Sequence, residues 1–423
     1  MEGVAKRTNW AGNVGYRAPK IYFPASVAAA RAIVKDVAHI TTVGSRHSFN
    51  TLADNAKAQI CLEKLDGVLG IDADRSTVTI EAGVRYSQLG PYLHANGYAL
   101  GNLASLPHIS VVGACATATH GSGMTNGNLA TAVSAIEIID AAGNLITLTR
   151  GDDDFYGAVV GLGLVGIVTK LTLDIEPTYQ MSQVVYQGLP MRELHISLQE
   201  LLASSYSVSL FTDWKSRSIN QVWVKSKLLS GETAQIPASL HGARLATEKI
   251  HPVPGHSPAP LTEQLGIPGP WHERLPHFKA GFTPSVGNEL QSEYFVALDD
   301  AYEAIRAVHA IGHVLSPHLF VSEIRTVAAD ELWMSPSYQQ PRVAIHFTWR
   351  PDTEVVHKLL PLLEEWLAPF SPVPHWAKLF AMPAPEVRSR YAKLDDFKQL
   401  AGRYDPDGKF RNDFLEGLLY AEG

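Results

Sequence analysis

The sequence predicts a two-domain α+β protein, and three observations carry that prediction. At 423 residues the chain exceeds what one hydrophobic core usually organises, so it is built of two domains or of one domain interrupted by another. Helix-like and strand-like segments intermix up to Pro177, after which the texture changes and strand-like runs such as SLFTDW and VWVK appear. The tail carries HWAK and DPDGKFRNDF, which look less like an ending than like a return to the first module. The expected units are residues 1–178, 179–370 and 371–423.

Within the first unit, SVAAARAIVKDVA has a candidate cap at Ser26 and apolar residues at helical spacing, which predicts a helix over about 26–38. ITTVGSRHSFN then starts as a short buried strand and breaks into a polar loop at Gly44-Ser45. VTIEAGV predicts a strand, and YSQLGPYLHANGYAL a helix in spite of Pro91, stopped at Asn96-Gly97. Residues 99–131 are rich in Gly, Ala, Ser and Thr, whose small side chains let backbone approach a large flat ligand. AIEIID and LITLTR, with Ala141-Ala142-Gly143-Asn144 between them, predict a β-hairpin, and VTKLTLDIEP alternates as a strand ending at Pro177. In the second unit a helix is expected over about 300–314, and residues 250–287, dense in Pro, Gly and His, have the character of a functional cover.

Composition narrows the function. With 46% hydrophobic and 18% charged residues the chain is neither disordered nor continuously apolar. A net charge of -7, with no basic run, argues against nucleic acid as a partner. Residues 1–20 lack an apolar core of signal-peptide length, and no apolar stretch of membrane-spanning length follows, so a cytoplasmic, membrane-free protein is expected. Cys61 and Cys115 suggest neither a disulfide framework nor a metal site.

Three motifs are set aside on context. Gly161-Leu-Gly163-Leu-Val-Gly166 matches GxGxxG, but a helix-like segment precedes it and a strand follows, the reverse of a dinucleotide fold. His309 and His313, like His272 and His277, lack an HExxH companion, so no metal is expected. No GxSxG elbow supports a serine nucleophile.

Three other segments point to a site. In Gly44-Ser45-Arg46-His47-Ser48-Phe49, successive N–H groups can form an anion-binding nest for a pyrophosphate, with His47 beside the ligand; alone, an ordinary capped polar loop explains it as well. Ser105 to Gly123 adds the hydroxyls of Ser110, Thr117 and Thr119 and the open backbone of Gly113, Gly121 and Gly123, suited to lining an extended cofactor. Glu323 and Arg325 in LFVSEIRTV, and His346 and Thr348 in VAIHFTW, each share one strand face. Adjacent strands presenting these groups inward would make a hydrogen-bonding surface for a polyol.

Together GSRHSFN, NLASLPHISVVG, ATATHGSG, SEIRTVAAD, AIHFTW, PHWAK and DPDGKFRNDF closely resemble, essentially end to end, the bacterial alditol oxidases, including xylitol oxidase, of the vanillyl-alcohol oxidase flavoprotein family. The resemblance implies an N-terminal PCMH-type FAD-binding domain, a substrate (cap) domain with a mixed or antiparallel sheet, and FAD bound covalently to His47 through its 8α-methyl group. It places Thr42, Val43, Gly44, Ser45, Arg46, His47, Ser48, Ser105, Ser110, Gly113, Thr117, Ala118, Thr119, His120, Val168 and His375 on the cofactor. Ser105, Glu323, Arg325 and Thr348 fall on substrate-contacting positions, and His346, Arg325 and Lys378 on catalytic ones. The implied reaction passes a hydride from a terminal CH–OH of the alditol to flavin N5, with His346, assisted by Arg325, taking the hydroxyl proton and dioxygen leaving as hydrogen peroxide. The neighbouring possibility is an aldonolactone oxidase or dehydrogenase, which shares the histidyl loop and HWxK. A monomer with polyol and dioxygen as its partners is expected. Arg46, where a small residue can stand, and Ala377, where relatives often carry Gly, depart from the pattern.

Overall fold

A computed structural model describes residues 7–228, 232, 234–282 and 289–421 of the chain. Residues 1–6 of the first expected unit and residues 283–287 of the His-rich cover lie outside them.

The N-terminal part holds two sheets. In the smaller, Ala58–Ile60 pairs in parallel with Lys20–Tyr22 on one side and Thr41–Thr42 on the other. The helix Val27–Asp36 packs Ala30 and Val34 against it, and the Ser26 hydroxyl accepts the N–H of Ala29 at 3.1 Å, the cap the sequence predicts. The larger sheet is antiparallel, in the order Val68–Asp72, Thr77–Glu81, Ile167–Asp174, Val133–Ile139, Leu145–Thr149. Its last two strands form the predicted hairpin. Pro91 is accommodated inside the helix Tyr86–Ala95.

The second part is one large antiparallel sheet, running Ser239–Leu240, Ala243–Leu245, Gln180–Pro190, Ser218–Leu228, Ser207–Thr212, Leu319–Val327, Arg342–Trp349, Leu290–Ala297, Val373–Pro374. Its strands alternate. Ile324, Ile345, Phe347, Tyr294 and Val296 join the helices Met191–Leu202, Ala301–Ala310 and Thr353–Leu367 in one core. The residues between them face the N-terminal part. The helix expected over 300–314 is divided at Ile311, and next to the division the Trp214 carbonyl approaches so closely that a Cβ at Gly312 would lie 2.4 Å from it. His309 and His313 therefore sit on separate helices, and His309 hydrogen-bonds the Ser216 carbonyl.

The tail crosses back to the first part. Asn50 donates to the carbonyls of Trp376 and Lys378 at 2.8 and 2.9 Å, and Phe49 N–H donates to Ala377 O at 2.7 Å. Lys409 and Asn412 extend the seam, donating to carbonyls of Val34 and Ala141 and of Leu52 and Asp54. Among the described residues no helix is long and apolar enough to cross a membrane.

Candidate active site

A cavity of about 630 Å³ lies between the two parts. One wall is the loop 44–49 and the segment 104–120; the other is the polar face of the large sheet, closed by His375, Ala377 and Lys378 from the tail.

At the first wall the chain leaves Thr41–Thr42 and turns at Arg46, which adopts φ 63°. Trp10 N–H donates to the Arg46 carbonyl at 2.8 Å, and the Trp10 indole stacks on the His47 ring with centroids 4.9 Å apart. His47 Nδ1 donates to Ser45 O at 3.1 Å, which leaves Nε2 as the acceptor of the His108 Nε2 hydrogen at 2.8 Å. Burial, reinforced by His108, pushes the His47 imidazole down to about 3, so it is neutral.

Ser110 sits where the two cradles meet. Its Oγ is buried without a hydrogen-bond partner, and a Cβ at Gly44 or at Gly113 would come within 2.7 Å of it. An unpartnered hydroxyl packed against two glycines at the cavity wall fits a ligand bearing acceptor oxygens, such as the pyrophosphate of FAD. The turn after the helix Val111–Ala116, with Ala118 at φ 51°, brings Thr117 and Thr119 to the same wall.

On the facing sheet the register aligns three side chains. Glu323 and Glu293 both pair with His346, which lies on the strand between theirs. Glu293 is the hub of the charges: Oε1 accepts from Arg325 at 2.9 Å and lies 3.3 Å from His120 Nε2, and Oε2 accepts from Lys378 at 2.6 Å. Burial alone would raise the Glu293 carboxyl; Lys378, His120 and Arg325 outweigh it and hold it well below the usual carboxylate range. Lys378 also donates to His346 Nδ1 at 2.8 Å, and His346 Nε2 meets Thr348 Oγ1 at 3.0 Å. Burial and then Lys378 keep His346 well below its ordinary value, hence neutral. His277 Nε2 and Arg325 Nε both approach Glu323 Oε1, at 2.7 and 3.5 Å. Arg325 Nη1 reaches the Ser105 hydroxyl at 3.5 Å, which ties the two walls together.

The structure thus brings together, around one cavity, Gly44, Ser45, Arg46, His47, Ser48, Ser105, Ser110, Gly113, Thr117, Thr119, His120 and His375, with Glu323, Arg325, His346, Thr348 and Lys378 opposite. Thr42, Val43, Ala118 and Val168 are not among the lining residues. Val43 N–H is taken by Ile60 O, and Val168 pairs with Ile138 inside the larger N-terminal sheet, so these residues shape backbone behind the wall. Ala377 adds its Cβ without positive φ, and its carbonyl takes the Phe49 N–H.

Sequence reasoning missed Glu293, His277 and Lys225. Glu293 shares a strand face with Gln291, the same i, i+2 signal that marked Glu323 and Arg325, but it stands in the apolar run LQSEYFVA.

A family model described as "FAD binding domain" matches residues 18–149, and one described as "D-arabinono-1,4-lactone oxidase" matches residues 287–418. Among solved structures, a cholesterol oxidase from B. sterolicum superposes with a TM-score of 0.77 over 97% of this chain and 96% of its own, at 16% identity, a likeness of fold. Fold and cavity define a two-domain FAD flavoprotein of the vanillyl-alcohol oxidase type. An alditol oxidase from a Streptomyces species is 46% identical over 97% of this chain and 98% of its own length. An L-gulono-1,4-lactone dehydrogenase from Mycobacterium tuberculosis and an L-gulonolactone oxidase from Mus musculus are each 25% identical over 97% of this chain. The chain belongs to the alditol oxidase family of PCMH-type FAD flavoproteins.

Proposed function

We propose that the protein is an FAD-dependent oxidase that converts the terminal primary alcohol of an alditol, of the xylitol or sorbitol type, to the aldose, with hydrogen peroxide as the second product. The observation that carries this reading is the aligned row Glu323, His346, Glu293 at the cavity wall, flanked by Arg325, Thr348 and Lys378. It offers both donors and acceptors to neighbouring hydroxyls. Identity to the Streptomyces alditol oxidase over nearly the whole chain supports the alditol as substrate.

FAD, when bound, supplies the hydride acceptor and returns the electrons to dioxygen. The loop 44–48, with Ser105, Ser110, Gly113, Thr117, Thr119, His120 and His375, would hold it, while Thr42, Val43, Ala118 and Val168 would support that wall from behind. His47 is its covalent anchor. Both ring nitrogens of His47 have partners in the structure, so attachment at either one displaces Ser45 O or His108.

Glu323, Thr348 and Ser105 orient the polyol. Both approaches to the Glu323 carboxylate are made at Oε1, which leaves Oε2 to accept a substrate hydroxyl. His346 takes the proton of the reacting hydroxyl at Nε2, from the form of the pair in which the hydrogen between Nδ1 and Lys378 Nζ lies on the imidazole. Arg325 stabilises negative charge that develops in the cavity, and Lys378 joins it once the hydrogen shared with His346 has returned to Nζ. In this reading residues 1–178 and 371–423 build the flavin side and residues 179–370 the cap, in a cytoplasmic monomer.

The lactone oxidase model matched over residues 287–418 favours one second reading, an aldonolactone substrate. Peroxide production with xylitol against gulono-lactone separates the two. Xylitol is expected to be used more efficiently, and a lactone preferred by orders of magnitude would overturn the alditol assignment.

A further inference from the structure

Lys225 is a buried cation to which the chemistry above gives no task. It is 1% exposed, on the strand Ser218–Leu228, and its Nζ faces acceptors: the carbonyls of Arg274 at 2.8 Å, of Leu275, and of Pro276 at 3.3 Å, and Nδ1 of His277 at 3.3 Å. Such surroundings require a donating amine. With the ammonium in place, Nδ1 of His277 is an acceptor, and the hydrogen of a neutral His277 sits on Nε2. That nitrogen lies 2.7 Å from Glu323 Oε1, where a donor is needed. Burial keeps the imidazole neutral by pushing it down to about 4. Burial also lowers Lys225 to about 7, against which Glu323 pulls it up.

We propose that Lys225 and His277 are positioning residues: Lys225 fixes the tautomer of His277, and His277 fixes the Glu323 carboxylate so that Oε2 receives a substrate hydroxyl. This rests on the reading above that Glu323 binds a hydroxyl of the polyol. The same ammonium gathers the 274–276 turn, and the N–H groups of His277 and Phe278 both donate to Ser105 O at 3.2 Å. One buried cation therefore sets both a segment of the cavity wall and the orientation of its carboxylate. Polyols long enough to reach Glu323 depend on the relay, and alcohols lacking that hydroxyl do not.

The test uses the holoenzyme with xylitol and with 1-propanol, which has no second hydroxyl. Lys225→Met should raise the xylitol KM by about tenfold while kcat changes by less than about threefold, and change the 1-propanol KM far less. His277→Gln, whose amide still donates to Glu323, should be milder, and adding Lys225→Met to it should cost xylitol no more than it costs the second substrate, since no tautomer remains to be set. Glu323→Gln is run alongside. If it raises the xylitol KM and Lys225→Met does not, or if Lys225→Met raises the KM of both substrates equally, the relay is refuted. If Glu323→Gln leaves the xylitol KM untouched, it is the hydroxyl-binding role of Glu323 that fails. Should Lys225→Met not fold, ¹⁵N imidazole spectra of the unsubstituted holoenzyme decide, with the His277 signals assigned by their loss in His277→Gln. A neutral ring protonated at Nε2 is expected between pH 6 and 8; protonation at Nδ1, or an imidazolium, overturns the proposal.

Discussion

Glu293 Oε2 and Lys378 Nζ lie 2.6 Å apart at the cavity wall, the carboxylate wholly shut off from solvent by the residues that also place Arg325 against it. A strand of the large sheet and a loop of the tail are thus joined by a buried ion pair, and neither cation keeps its balance without this acid. Glu293→Gln should destabilise the protein by about 3 kcal/mol, because removing one partner strands the others unpaired. Chemical denaturation measures it; a loss under about 1 kcal/mol would show that the cluster is solvated after all.

Arg325 reaches Glu293 through Nη2 and Glu323 through Nε, two directions that a lysine ammonium cannot serve at once. Arg325→Lys should therefore slow anaerobic flavin reduction by about tenfold or more, even though the charge is kept. Stopped-flow absorbance gives the rate, and an unchanged value would remove Arg325 from the reacting set.

His47 as covalent anchor makes a prediction by colour. The unsubstituted protein should carry its yellow into the pellet on acid precipitation, whereas His47→Ala should release the flavin to the supernatant while still binding it in the native state through the 110–120 wall. Flavin in the supernatant of the unsubstituted protein would refute the bond.

Stability should fall as the pH drops below about 6.5. Burial holds His251 and His277 down to about 4, so over that window the unfolded chain takes up protons that the folded one refuses. Glu323 and Glu293, held below the carboxylate range by their cationic partners, add a second loss of the same sign as the pH falls through about 4.5 and below. Melting temperature from pH 7.5 to 4 follows both phases. A flat profile between 7 and 5 would mean that these imidazoles open to solvent in the native state.

Local features were legible in the sequence and distant ones were not. The Ser26 cap, the hairpin at 133–149 and the shared faces of Glu323 with Arg325 and of His346 with Thr348 are each settled by spacing within a few residues. Lys225 and His277 were invisible because their task depends on sheet order: the strand Ser207–Thr212 lies between that of Lys225 and that of Glu323, and His277 arrives from a loop. The need for glycine at 312 was hidden for the same reason, since the carbonyl packed against it belongs to Trp214.

The two hydrogen bonds from the Asn50 side-chain amide to Trp376 O and Lys378 O span 326 and 328 positions of chain. During synthesis the loop 44–50 is therefore made long before the carbonyls that its Asn50 binds, and until residues 376–378 have emerged that amide is answered by water.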